Sequence, residues 1–331
     1  MPSARSMSLS SSLAAAINVA IAMPSPKPPL ALIAGPTASG KSAMGLALAQ
    51  QINGVIVNAD SAQIYRDLRV LSAAPTTGEL LQAEHRLYGV QDGALPCSAA
   101  EWAALARQEI AQVQASGRTP ILVGGTGLYL RTLLDGIAPV PAIAPEVRER
   151  VRAAPVADNH AKLMALDPGA AARLNPADGA RISRALEVIL STGRTLAEWH
   201  KEREGGIAGQ VEVRALILLP PRKWLYQRCD DRFAHMIEQG AVSEVEALLA
   251  RKLNPNLPVM RAIGVRELSG YLLGQSSLDE AVAAGQQATR RYAKRQYTWF
   301  AHQPPAEWPR FKEALDMDRL GDALALLHPK S

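Results

Sequence analysis

An apolar run that leads into a glycine-rich turn, strands that alternate with helices as far as residue 136, and a strand that returns at residue 212 after a purely helical stretch predict an α/β protein. The architecture expected is a P-loop NTPase-like parallel sheet flanked by helices, with an all-helical insertion domain. Leu30 to Ala34 is unbroken apolar sequence, as in a strand buried on both faces. Lys41 to Gln51 has helical composition, and GVIVN, Gly54 to Asn58, is a second strand. Glu101 to Ala115 reads as a helix stopped by Gly117. Thr119 to Val123 is a third strand, and Gly127 to Leu134 a helix after it. From Ile137 to Gly206 no strand signal appears; Asp-Pro, Asn-Pro and glycine turns break the sequence into short helices. Strand character returns at Glu212 to Leu219. From Arg222 onward the sequence reads as helical, ending in a long segment from Leu278 to Phe300. The expected division is a core of residues 30–136 and 207–331 with an insertion at 137–206.

The chain of 331 residues and 35.4 kDa is long enough to bury a substantial core. A net charge of +5 suits a phosphate-rich or nucleic-acid partner and equally a soluble basic protein. Cys97 and Cys229 form neither a disulfide framework nor a zinc pattern, and the scattered histidines have no metal-ligand spacing. Residues 1–29 superficially resemble a secretory signal, but their apolar run is too short to span a bilayer and a phosphate loop follows almost at once. They are expected to be a disordered leader, or to precede a true start at Met23, and the protein to be cytoplasmic with no membrane partner.

Gly35, Pro36, Thr37, Ala38, Ser39, Gly40, Lys41 and Ser42 satisfy GxxxxGK[ST]. In such a loop backbone N–H groups and a helix N-terminus point at an anion, the lysine adds a mobile charge and the hydroxyl is a magnesium ligand. The pattern alone does not separate ATP, GTP or another polyphosphate. An ATPase or kinase would carry a magnesium-binding Asp after a second apolar strand. TPILV runs instead into Gly124, Gly125 and Thr126. Asp60 follows GVIVN, at the carboxyl end of a parallel strand beside the loop. There it can take a proton or hold a metal, or simply cap the next turn. Ser61 and Gln63 beside it are suited to reading a polar substrate.

GPTASGKS, NADSAQIYR, LVGGTGLYLRTLLDG, PEVR, RISRALEV, RAIGVREL and TRRYAKRQYTWF occur in that order. Together they resemble the bacterial tRNA dimethylallyltransferase family from Leu30 to Phe300. The resemblance implies transfer of a dimethylallyl group from dimethylallyl diphosphate to N6 of the adenine 3′ of the anticodon, in tRNAs that read codons beginning with U. Diphosphate leaves with the help of Mg²⁺. It implies Asp60 as general base, Thr37 beside the donor, Lys41 and the loop around the diphosphate, Ser42 on the metal, and Thr126 at the target nucleotide.

Further tRNA contacts are implied at Asp60, Ser61, Ala62 and Gln63, and at Arg148. ARISR supplies Ala180, Arg181, Ile182, Ser183 and Arg184. RAIGVR supplies Arg261, Ala262, Ile263, Gly264, Val265 and Arg266. KRQYTWFA supplies Lys294, Arg295, Gln296, Tyr297, Thr298, Trp299, Phe300 and Ala301. The basic side chains from Arg290 to Arg295 are expected outside and most of the neighbouring aromatics in the core. The chain departs from the family after Tyr65, where DLRVLSAAPT, Asp67 to Thr76, lacks an expected phosphate-binding lysine. No dimer motif is implied, and a monomer is expected. The alternatives are a P-loop small-molecule or nucleoside kinase, and a nucleotide-switched RNA-binding protein without catalysis.

Overall fold

The computed structural model describes residues 27–316 and 318–327. The expected leader lies outside the described residues up to residue 26, and Pro29 already belongs to the first strand. The strands are β1 (Pro29–Ala34), β2 (Val55–Asn58), β3 (His85–Arg86), β4 (Pro120–Gly124), β5 (Glu212–Leu218) and β6 (Arg310–Phe311). They form one sheet in the order β3-β2-β4-β1-β5-β6, and all the pairings are parallel. Leu30, Leu32 and Ala34 of β1 face one core cluster, Ala31 and Ile33 the other. Burial on both faces is why the strand reads as continuous apolar sequence. The carboxyl ends of β1, β2, β4 and β5 open on a single edge, where ligands bind in sheets of this kind.

α1 (Lys41–Ile52) sets Met44, Leu48 and Ala49 against the Ile33 face. α2 (Thr77–Gln82) is short and buries no residue fully. α3 (Ala99–Ala115) and α4 (Gly127–Asp135) cover the opposite face. α3 starts two residues before the position read from sequence, because Ser98 caps it: the Glu101 N–H donates to Ser98 Oγ at 3.2 Å, and the Ser98 N–H to the Glu101 carboxylate at 2.7 Å. α5 (Pro145–Ala153), α6 (Val156–Leu166), α7 (Pro168–Arg173), α8 (Gly179–Thr192) and α9 (Leu196–Trp199) lie between α4 and β5. They carry a core of their own, built from Leu163, Ala170, Ala171, Ile182 and Ala185. The chain leaves and returns through one paired crossing, where Ile137 and Glu204 each donate an N–H to the other's carbonyl at 3.0 Å.

α10 (Arg222–Glu238), α11 (Ala241–Ala250), α12 (Val265–Leu272) and α13 (Leu278–His302) pack on the α3 face, and α14 (Leu320–Ala325) on the α1 face. Two strands were not expected from sequence. β6 interrupts the region read as wholly helical after Arg222, and β3 lies at the opposite edge. Each is two residues long, too short to carry a period-two signal.

Candidate active site

The phosphate loop turns directly off the end of β1. Gly40 has φ +97°, and a Cβ there would lie 2.7 Å from Leu315 Cδ2. Gly40 is the N-cap of α1 and offers no side-chain cap, so the first-turn N–H groups stay free for an anion. Lys41 is buried and donates from Nζ to the Pro36 carbonyl at 2.6 Å. Burial pushes its ammonium down to about 8; the Asp60 carboxylate opposes this and Arg232 reinforces it. The buried Ser39 hydroxyl has no hydrogen-bond partner among the described residues.

Beside the loop, the wholly buried Asn58 at the end of β2 shapes the backbone of the acid. Its Oδ1 accepts the Asp60 N–H at 2.7 Å, and its Nδ2 donates to the Asp60 and Leu87 carbonyls, each at 3.0 Å. Asp60 Oδ1 accepts the Ala62 N–H at 3.0 Å. The carboxylate therefore caps its turn and faces the cavity at once. Thr126 Oγ1 accepts the Ser61 N–H at 3.0 Å and so joins the GGTG turn to the acid's own loop.

A cavity of ≈ 320 Å³ lies in front of these groups. Thr37, Asp60, Ser61 and Ala62 line its polar side; Tyr65, Tyr129, Leu71, Phe233 and Met236 contribute apolar wall. Tyr129 stacks on Trp102 with ring centroids 4.5 Å apart. Arg261, Ala262, Ile263, Tyr292 and Arg295 complete the lining. Burial raises the Tyr65, Tyr129 and Tyr292 phenols, so all three stay neutral.

α10 brings two arginines that the sequence reading missed. The half-buried Arg232 donates from Nη1 to Thr37 Oγ1 at 3.2 Å, and Arg228 from Nε to the Ala38 carbonyl at 3.1 Å. Burial lowers the Arg232 guanidinium while Asp60 supports its charge. The available signal was their i,i+4 spacing beside the buried stripe Leu225, Cys229, Phe233 and Met236. Cys229 lines the same wall, its thiol pushed up to about 11 by burial.

Other expected site residues stand elsewhere. Ser42 is exposed on α1 and faces a separate small cleft with Gln63, Glu79 and His85. Gln63 does not reach the cavity; its Nε2 donates to the Ser72 and Ala73 carbonyls at 3.0 and 2.8 Å, holding the divergent 67–76 stretch. Glu244 of α11 grips the same stretch, accepting the Val70 and Leu71 N–H groups at 2.8 and 2.9 Å. Arg148, Arg152 and Arg184 gather on α5 and α8, close enough that the first two lower the Arg184 guanidinium after burial, with Glu187 opposing. Arg181 is exposed and pairs with Asp178 at 3.5 Å, while Ala180 is exposed and Ser183 half-buried.

Ile182 is fully buried, as are Val265 and Phe300 to within 1 %; their side chains present nothing to RNA because they fill the core. Gly264 packs against Leu71 and Phe233, and Arg266 is exposed. Along α13, Lys294, Arg295 and Thr298 are exposed, whereas Tyr297, Trp299 and Ala301 are half-buried against the core. The Trp299 ring covers Gly127, where a Cβ would come within 2.5 Å of it. Arg290 was expected in solvent but is half-buried and paired with Asp230. Gln296 was expected at the RNA, yet it is only 6 % exposed and bonds inside the core.

Comparison with known proteins follows the same lines. The IPP transferase family model matches residues 63–303. A tRNA dimethylallyltransferase of Sphingopyxis alaskensis is 61 % identical over 90 % of this chain and 97 % of its own length. One of Erythrobacter litoralis is 58 % identical over 90 % and 96 %. Among solved structures, the tRNA isopentenylpyrophosphate transferase of Bacillus halodurans is 31 % identical with a TM-score of 0.65, covering 91 % of this chain and 97 % of its own. A eukaryotic dimethylallyltransferase acting on tRNA is 25 % identical with a TM-score of 0.77, covering 90 % and 77 %.

Proposed function

The chain belongs to the IPP transferase family and is a tRNA dimethylallyltransferase, and we propose that the cavity between the phosphate loop and Asp60 is where the transfer occurs. The observation that carries this reading is a single cavity lined by Thr37, Asp60 and the half-buried Arg232. Dimethylallyl diphosphate places its diphosphate against the loop amides, Lys41 and Arg232. Its allyl group lies along the apolar wall. The target adenine, turned out of the anticodon loop, enters past Arg261 and Arg295.

An exocyclic N6 amine is a poor nucleophile because its lone pair is delocalised into the ring. As N6 attacks C1 of the allyl group, the C1–O bond breaks and diphosphate leaves. The N6 proton passes to Asp60. Fixed positive groups stabilise the oxygen charge that develops on the leaving group. Ser42, the loop hydroxyl that would hold a Mg²⁺, is accessible on the first turn of α1 but opens on the separate small cleft rather than on this cavity, so no step is assigned to the ion.

Arg148, Arg184, Arg266 and Lys294 supply phosphate contacts along the tRNA. The enzyme is read as a cytoplasmic monomer; among the described residues no helix is long and apolar enough to cross a membrane. The test is incubation with labelled dimethylallyl diphosphate, Mg²⁺ and an unmodified anticodon stem-loop with adjacent adenines. Label enters the RNA in step with diphosphate release and without nucleotide consumption. ATP-dependent phosphorylation of an acceptor, with no label in RNA, would overturn the reading.

A further inference from the structure

Gln296 bridges the two halves of the site. Its Oε1 accepts the Thr37 N–H at 2.8 Å, and its Nε2 donates to the Gly125 carbonyl at 2.8 Å. Both partners are far away in sequence, and both sit in the machinery described above: Thr37 in the phosphate loop, Gly125 next to Thr126 in the GGTG turn. The amide has a single productive orientation, because one partner is a donor and the other an acceptor. A Cβ on Gly125 would lie 2.4 Å from Gln296 Nε2, so the turn is glycine where this amide presses on it. The link extends both ways. Arg232 donates to Thr37 Oγ1, and Thr126 receives the N–H of Ser61, the neighbour of Asp60. The Thr37 N–H is also spent on Gln296, which removes it from the set of loop amides that face a phosphate.

We propose that Gln296 is a positioning residue that fixes the distance between the leaving-group cradle and the Asp60 side of the cavity. This rests on the transferase reading given above. Displacement at an allyl carbon needs N6, C1 and the departing oxygen aligned, with the reacting atoms in near contact, and a misplacement of about 1 Å costs roughly a hundredfold. The loop holds the oxygen and the 58–62 turn holds the base. The bridge adds two side-chain hydrogen bonds to the backbone packing of Gly35 against Gly125 and to the sheet.

Gln296→Glu keeps the acceptor for Thr37 and turns the second oxygen on the Gly125 carbonyl. Gln296→Met keeps the volume and removes both bonds. Steady-state turnover is measured for each against both substrates, with melting temperature and folded fraction alongside. The expected result is a kcat per folded molecule lowered about a hundredfold, with KM for dimethylallyl diphosphate and for the stem-loop within about threefold of wild type. Amide exchange at Thr37 reads the same bond without turnover: protection is kept in Gln296→Glu and lost in Gln296→Met. Should Gln296→Met fail to fold, Gln296→Glu, which differs by one atom, carries the test alone. Turnover of Gln296→Glu within threefold of wild type overturns the proposal, as does a loss confined to KM for RNA, which would return the side chain to the RNA interface. Wild-type protein that transfers no label sinks the transferase reading itself, separately from either result.

Discussion

Replacing Arg232 with methionine separates two roles that its geometry allows. One is local: Nη1 donates to Thr37 Oγ1 at 3.2 Å, a long bond to a neutral oxygen. Such a bond is worth about 1 kcal/mol, so a residue that merely held Thr37 would cost roughly fivefold in rate when lost. The other is electrostatic. A half-buried guanidinium in the cavity wall donates directly to a departing diphosphate, and losing one such donor costs about 2.7–4 kcal/mol, roughly 10²–10³-fold. The two magnitudes do not overlap. Methionine keeps most of the volume, so the cavity wall formed with Phe233 and Met236 keeps its shape. It also relieves the desolvation that holds the guanidinium down. The assay is single-turnover transfer of label from dimethylallyl diphosphate to the stem-loop, with RNA affinity measured by filter binding. We expect a loss of at least about a hundredfold in the transfer rate and unchanged RNA affinity. A loss of less than tenfold, or one wholly in RNA binding, would refute the leaving-group role.

Asp60→Asn retains the acceptor for the Ala62 N–H and removes only the base, so transfer should fall about 10²–10⁴-fold with RNA binding spared; activity near wild type would leave Asp60 a turn cap. Lys41, held at about 8 against an ordinary 10.5, links diphosphate binding to pH. Anion binding favours the ammonium, so affinity for inorganic diphosphate with Mg²⁺ should hold below pH 8, fall as pH rises through 8, and be accompanied by proton uptake above it in calorimetry. The unfolded lysine keeps its proton to higher pH, so this group makes the free protein more stable as pH rises from about 8 to 10.5. Gly127→Ala drives a methyl to 2.5 Å from the Trp299 ring and should cost about 1–3 kcal/mol, read as a melting temperature several degrees lower. Arg184→Ala should flatten the salt dependence of RNA binding by about one phosphate contact; an unchanged slope would remove it from the interface.

Much of the core was legible because it is buried on both faces. β1, β2, β4 and β5 read as short apolar runs, and the loop and Asp60 follow directly from where those runs end. The edge strands β3 and β6 were not legible, since two residues form no pattern. Arg228 and Arg232 were missed for a different reason. They act on the loop from nearly two hundred residues away in sequence, and no local motif encodes that contact. Gln296 illustrates how resemblance by segment can mislead at single residues. Ala293, Gln296 and Phe300 recur at the spacing of one helix face, and that phase turns Gln296 inward while Lys294 and Arg295 point out.

The paired crossing at Ile137 and Glu204 changes what the helical excursion costs the sheet. β5 must return to β1 after residues 137–206, which on paper is a wide loop to close. Reciprocal hydrogen bonds at the crossing close it early, and Gly136 and Gly206 let the two strands of chain lie close enough for this, a Cβ on either falling 2.5–2.7 Å from backbone across the gap. Beyond that point extra length is entropically cheap, about 0.6 kcal/mol for each doubling. Residues 138–203 can therefore grow, shrink or be exchanged for another fold without changing the ring that β1 and β5 have to close.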